Sequence, residues 1–152
     1  MMRSFMLAAC GLLLMAGLPA LAQQAEDFGD YLIHYNTLNS NLLPADVARA
    51  YGIQRAGTRA LLNITVMRKK DDDLDEPVKA RVEATATNLA GQRRDLEMRE
   101  VVEQEAIYYI ATLPIRDEET LNFRVRVQPE GATGPAREFS FQQKFYIEQP
   151  RG

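Results

Sequence analysis

The stretch Leu96–Leu113, "LEMREVVEQEAIYYIATL", admits two readings, and the fold turns on the choice. Met98, Val101, Val102, Ala106, Tyr109, Ile110 and Leu113 fall at helical spacing, enough for one helix of about 17 residues. Against that, Val101-Val102 and Ile107-Tyr108-Tyr109-Ile110 are β-branched and aromatic clusters. Such side chains lose rotamer freedom in a helix and pack well on a pleated surface. The flanking sequence also alternates with period two. The stretch therefore reads as two strands, 94–102 and 105–113, meeting in a tight turn near Glu103-Gln104. Ile107 and Tyr109 then face the core, with Tyr108 and Ile110 on the opposite face.

Working outward, the same alternation recurs along the chain. Val78, Ala80, Val82, Ala84 and Ala86 point one way, and Lys79, Arg81, Glu83, Thr85 and Thr87 the other. Leu121, Phe123, Val125 and Val127 share a face, as do Leu62, Ile64 and Val66, and Tyr31, Ile33 and Tyr35. Phe139, Phe141, Phe145 and Ile147 form another set, broken by Gln143. Strands with one apolar and one polar face belong to antiparallel sheets rather than to buried parallel ones. Turn signals separate them: the charged tract before Pro77, Asn88 to Gly91, Pro114 with Asp117, and Pro129 to Gly131. Short strands at this spacing predict an all-β fold, an immunoglobulin-like antiparallel sandwich of about seven strands. One short helix is expected near residues 44–51. Pro44 marks its start, Gly52 its left-handed stop, and Leu43, Val47 and Tyr51 its buried face against one end of the sheets.

The N-terminus, "MMRSFMLAACGLLLMAGLPALAQQ", has a basic Arg3, an apolar run from Phe5 to about Leu18, and Ala20-Leu21-Ala22. That is the order of a secretory signal peptide. The apolar run is short for a transmembrane helix, which needs about 20 residues. The expected organisation is a signal peptide over 1–22, cleaved after Ala22, and a single β-sandwich domain over 23–152, placed in the periplasm. "LAAC" at Leu7–Cys10 is a competing lipoprotein box, but most of the apolar run follows Cys10 instead of preceding it. An uncleaved anchor is the third reading. Cleavage removes Cys10, leaving no thiol ligand and no disulfide. It also removes Arg3, so 17 basic residues face 21 acidic ones, a charge of −4. That balance gives no case for nucleic acid, and no second apolar run follows to span a membrane.

The segment "DYLIHYNTLNSNLLPADVARAYGI" carries the single histidine, His34. On a strand it alternates away from Tyr31, Ile33 and Tyr35. A metal site needs several converging ligands, and no second histidine exists. A hydrolase triad lacks its nucleophile elbow. Asn36, Asn39 and Asn41 tolerate left-handed backbone and suit a chain leaving a strand for a helix. "DDDLDE" begins like a calcium loop, but Glu76 stands where the sixth-position glycine is required and Val82 where the twelfth-position glutamate is required. It reads as a solvated hairpin tip. Met67 and Met98 with one histidine are too few for a copper carrier. No catalytic constellation, metal site or cofactor site emerges. The sequon at Asn63 falls inside a strand.

The run from His34, Tyr35, Asn36 and Asn39 through Pro44, Val47, Ala48, Ala50, Tyr51, Gly52 and Ile53 to Arg55, Ala60, Leu62 and Asn63, followed by "AIYYIATLPI", resembles a family of periplasmic proteins of Gram-negative bacteria known as domain of unknown function 4426. The resemblance covers essentially the whole mature chain. It implies a secreted, single-domain, non-enzymatic protein, and it lends no substrate and no catalytic residues to carry over. The expectation is a binding or accessory module acting through loops or edge strands on another periplasmic or envelope protein. Its binding residues would be His34, Tyr35, Asn36, Asn39 and Asn41, in a turn with the following helix. Two alternatives stand beside it: a small metal-binding protein or enzyme centred on His34 with Asp30 or Glu26, and a structural component of the cell envelope.

Overall fold

The computed structural model describes residues 24–71 and 74–147. The expected leader and lipobox lie outside the described residues. Ten strands follow in order: β1 (Gln24–Asp27), β2 (Tyr31–Asn39), β3 (Arg59–Arg68), β4 (Glu76–Pro77), β5 (Ala80–Asn88), β6 (Arg93–Leu96), β7 (Arg99–Glu103), β8 (Ala106–Pro114), β9 (Glu119–Pro129) and β10 (Arg137–Phe145). A 3-10 turn, Ser40–Leu42, and one helix, α1 (Ala45–Ala50), lie between β2 and β3. One sheet has the order β1-β2-β3-β8-β7, with β4 added to the end of β3, and the other β10-β9-β5-β6. Every pairing is antiparallel. No helix among the described residues is long and apolar enough to cross a membrane.

The sandwich forms because the alternating sets named above point inward, except for Ile147, which lies beyond the end of β10 and outside the core. Ile33, Leu62, Ile64 and Val66 of the larger sheet meet Leu121, Phe123, Val125 and Val127 of the smaller one, each with no exposed surface. Aromatic rings supply the bulk that tryptophan would give elsewhere. Phe123 stacks on Phe141 at 4.9 Å between centroids, and Tyr35 lies 4.5 Å from Phe141 and 4.8 Å from Phe139. These ring pairs seat β2 over β10, so β1 projects past the edge of the smaller sheet.

The stretch 96–113 holds strands and no helix, with Tyr109 in the central core and Tyr108 and Ile110 on the far side of the sheet. The turn is the two residues Gln104 and Glu105, with Glu103 opposite Ala106. One boundary differs from expectation. The strand expected over 94–102 is two strands in different sheets, because the chain crosses at Glu97–Met98. Leu96 and Met98 both pack on the central core, so the period-two pattern runs through the crossing unbroken. The strand count of ten exceeds seven for the same sort of reason. Beyond that crossing, β1 is a polar tetrapeptide and β4 has two residues, and neither carries an alternating signature.

The helix α1 starts after Pro44 and ends as its sequence dictates. Gly52 takes φ 66°. Its N–H donates to the Arg49 carbonyl, and the Ile53 N–H donates to the Ala48 carbonyl. This is a Schellman closure, in which a left-handed residue lets two otherwise unpaired carbonyls be satisfied. The packing differs from expectation. The helix covers the outer face of the larger sheet, not its end. Ala48 and Ile53 are its buried anchors, with Leu43 and Tyr51 alongside and Val47 outside the cluster. The Schellman turn folds Ile53 back over Ala48, which moves the buried stripe of so short a helix toward its C-terminus.

Candidate functional site

The five residues expected to bind are divided by the pleat of β2, which runs unbroken to Asn39. His34 and Asn36 are therefore mid-strand, not in a turn. Tyr35 points inward and is spent on the aromatic core. His34 and Asn36 face out of the larger sheet, opposite Thr65 and Asn63 of β3. His34 Nδ1 and Asn63 Oδ1 are buried and have no hydrogen-bond partner among the described residues. Glu26 cannot assist His34: it stands opposite Ile33, on the inner side, and Ala25 stands opposite His34. Asp30 lies four residues from His34, roughly 13 Å along the strand. Among the described residues no group of three or more His, Cys, Asp or Glu converges.

Asn39 and Asn41 belong to a different place. They line a groove of about 280 Å³ between the end of β2 and the end of β10. Thr37, Leu38 and Leu42 complete one wall, and Gln143 to Tyr146 form the other. Asn39 Nδ2 donates to the Tyr146 carbonyl at 2.7 Å, which ties the walls together. The Asn41 wall is fixed by Ser40, whose side chain is fully buried. Its hydroxyl accepts from the Ala56 N–H at 2.9 Å and donates to the Ala56 carbonyl at 3.0 Å. Arg55 Nη2 donates to the Asn41 carbonyl at 2.9 Å. Asn41 Oδ1 is buried and unpartnered among the described residues. The apolar parts of the groove face solvent: Leu42 is 61% exposed and Tyr146 57%.

The groove opens onto the free side of β10. This nine-residue strand has β9 as its sole ladder partner among the described residues. Edge strands are usually blunted by proline, bulges, inward charges or charged edge side chains such as lysine, and of these β10 carries only the charged side chains Arg137, Glu138 and Lys144. β10 contains no proline, and its inward positions are Phe139, Phe141, Gln143 and Phe145. Sequence reasoning missed this edge and Tyr146, because hydrophobic alternation reports which face is buried and is silent on which neighbour is missing.

The described residues flanking the charged tract are paired across β3 and β4. Arg68 stands opposite Glu76, with Arg68 Nη2 2.6 Å and Lys70 Nζ 3.3 Å from the same Glu76 oxygen. The Arg68 hydrogen bond, with Lys70 beside it, holds the Glu76 carboxyl below its ordinary range. Asp72 and Asp73 lie outside the described residues.

The family described as a domain of unknown function, DUF4426, matches residues 25–148. The chain belongs to the DUF4426 family. A DUF4426 family protein from Pseudomonas aeruginosa PAO1, known from its crystal structure, is 37% identical, with a TM-score of 0.72 over 84% of this chain and 97% of that one. FetP of uropathogenic Escherichia coli strain F11, expressed recombinantly in the periplasm, shares the fold at 11% identity, with a TM-score of 0.62 over 84% of this chain and 95% of that one. A copper-bound FetP variant aligns at 12% identity and a TM-score of 0.59, over 82% of this chain and 95% of that one. No curated protein matches.

Proposed function

We propose that this DUF4426 protein is a non-catalytic binding module of the periplasm, exported through its N-terminal signal. Its ligand is an extended segment of a partner polypeptide, laid against β10. The carrying observation is the nine-residue free edge of β10, continuous with the groove at Asn39, Asn41, Leu42 and Tyr146. An added strand would satisfy the open backbone groups of β10, which is how strand addition gains affinity. One of its side chains would cover Phe141, and one would enter the groove, where the Asn41 acceptor awaits a donor. β1, the edge strand next to β2, carries Gln24 and Glu26 on its inner side, which favours a basic side chain in the partner.

The test is crosslinking in intact cells from position 146, with Leu42→Asp as the comparison. Leu42 is exposed, so this variant keeps its fold, as a melting curve will verify. The reading expects a crosslinked polypeptide that is lost in Leu42→Asp. An unchanged set of adducts would sink it.

A second reading is supported by the copper-bound FetP variant, which shares this fold. His34 Nδ1 is unpartnered, and Met67 lies on the same outer face, opposite Leu32 and diagonal to His34. An imidazole and a thioether suit a soft metal. Protein purified without a histidine tag should then hold stoichiometric copper that His34→Ala abolishes. Metal-free protein would retire this reading without touching the first.

A further inference from the structure

At the same end of the sandwich, on the side of β6, β8 and β9, lies a second and larger opening of about 680 Å³. Three arginines line it, Arg59, Arg94 and Arg116, with Glu119 as the single acidic residue. Glu119 is already engaged. Its Oε2 accepts the Arg116 backbone N–H at 2.8 Å, its Oε1 lies 3.7 Å from Arg94 Nη2, and its side chain is 13% exposed. Arg94 Nη1 also donates to the Pro114 carbonyl at 3.0 Å, which ties the two sheets together and fixes that guanidinium at the wall. Arg59 and Arg116 enter no ion pair among the described residues. The opening thus carries two uncompensated positive charges in a chain whose net charge is −3.

The rim is built as well as charged. Asn88 Oδ1 accepts from the N–H groups of Ala90 and Gln92 at 3.0 and 2.9 Å, and Asn88 Nδ2 donates to Gln92 Oε1 at 2.8 Å. That arrangement holds the turn in one shape and leaves the Gln92 amide nitrogen free to donate. On the other side the Ile115 N–H donates to the Thr58 carbonyl at 2.9 Å, holding the two loops that flank Arg59 and Arg116. Guanidinium forks match the oxygens of phosphate and carboxylate groups, and their charge is permanent. A concave opening between low-dielectric walls concentrates their field.

We infer that this cleft is a binding site for a multiply charged oxyanion, with Arg59 and Arg116 as its principal ligands, Arg94 as the fixed third and the Gln92 amide as a neutral donor. The chemistry is shared by a free di- or polyanion and by the phosphate headgroup of an anionic lipid. The inference is independent of the β10 reading, and Leu42→Asp leaves it unaffected.

The test titrates the purified chain with pyrophosphate at low ionic strength, where screening over about 10 Å is weak, and follows backbone amide shifts. Saturable shifts are expected at Asn88–Gln92 and at Ile115 and Arg116. Arg59→Gln and Arg116→Gln should each weaken binding about five-fold or more, the size expected for losing one charge-assisted contact. The double variant should abolish it. Arg81→Gln, at an exposed arginine beside Glu83 on the smaller sheet, should change nothing. Co-sedimentation with vesicles of anionic phospholipid, against neutral vesicles, separates the two sources. Binding that needs Arg59 and Arg116 in the vesicle arm identifies the headgroup, and binding of pyrophosphate alone identifies a free anion. Absence of saturable shifts in the wild type, or an equal loss in Arg81→Gln, would overturn the site.

Discussion

The two faces of the larger sheet share its central strands, yet they do different work. On the inner face Ile33, Leu62, Ile64 and Val66 are sealed against the smaller sheet. On the outer face Leu38, Leu61 and Ile110 are covered by a six-residue helix and its Schellman turn, while His34 and Asn63 beside them carry polar atoms without partners among the described residues. A sealed face has no spare valence and serves stability. The outer face rests under a much smaller cover and places polar side chains directly beside it. A buried polar atom left unpaired costs about 1–3 kcal/mol.

The largest expected contrast is in what removal of a core side chain does on each face. Phe123→Ala deletes a ring with no exposed surface that stacks on Phe141 and meets Phe145 edge-on at 6.2 Å. A loss of roughly 3–5 kcal/mol is expected, with the urea midpoint falling accordingly. On the outer face, Ile110→Ala should cost about 2 kcal/mol, the low end for such a truncation, because the helix above can settle. Its signature should be local. Amides of α1 and of Tyr51–Ile53 should exchange faster while those of β9 stay protected, as for a unit that opens by itself. Equal loss of protection in α1 and β9 would show that the two clusters are one cooperative core.

Smaller effects follow from two residues in the left-handed region. Gly52 at φ 66° closes α1, and Gln104 at φ 54° turns β7 into β8. Gly52→Ala places a Cβ in a conformation it tolerates poorly and should cost about 1 kcal/mol. The cost is backbone strain alone, since the added Cβ would sit in ordinary contact with the Arg99 guanidinium, 3.5 Å away. Gln104→Gly relieves the same strain but raises unfolded-chain entropy, so a gain of about 0.5 kcal/mol is expected. Melting curves of the pair should therefore move in opposite directions.

Sequence alternation revealed the inner face almost residue by residue, because burial on one side of a strand imposes a two-residue period. The same period distinguishes strand from helix at Ile107–Ile110: Tyr109 is sealed inside while Tyr108 and Ile110 face away. The outer face was harder to read. Leu38, Leu61 and Ile110 interrupt the polar positions of their strands, and only a helix laid over them explains why. The site was legible in part. The asparagines of "HYNTLNSN" did mark the neighbourhood of the groove, but β2 continues three residues beyond Asn36 and sends Tyr35 and Asn36 to opposite sides. The arginine cleft was invisible, since Arg59, Arg94 and Arg116 come from β3, β6 and the β8–β9 turn and converge only after folding.

Two tyrosines carry the comparison to its finest point. Tyr109, sealed on the inner face, and Tyr51, on the outer one, both have their phenols pushed up to about 12, for different reasons. Burial dominates for Tyr109, reinforced by its hydrogen bond to Glu100 at 3.0 Å and opposed by the Ala80 N–H that it accepts. For Tyr51 the first cause is the hydrogen bond it donates to Glu103, ahead of burial. An unfolded tyrosine ionises near pH 10, so between about pH 10 and 12 the folded chain holds protons that the unfolded chain has released. The stability from both phenols is complete below the unfolded value and falls as pH rises through the folded one. The two can be separated by Glu103→Gln, at an exposed position. Tyrosinate absorbance should then show one phenol ionising earlier, Tyr51, while Tyr109 stays late. The alkaline limb of the stability curve should also become shallower by one proton. If the variant moves both phenols, or neither, the inner and outer faces are electrostatically coupled and the division between them is wrong.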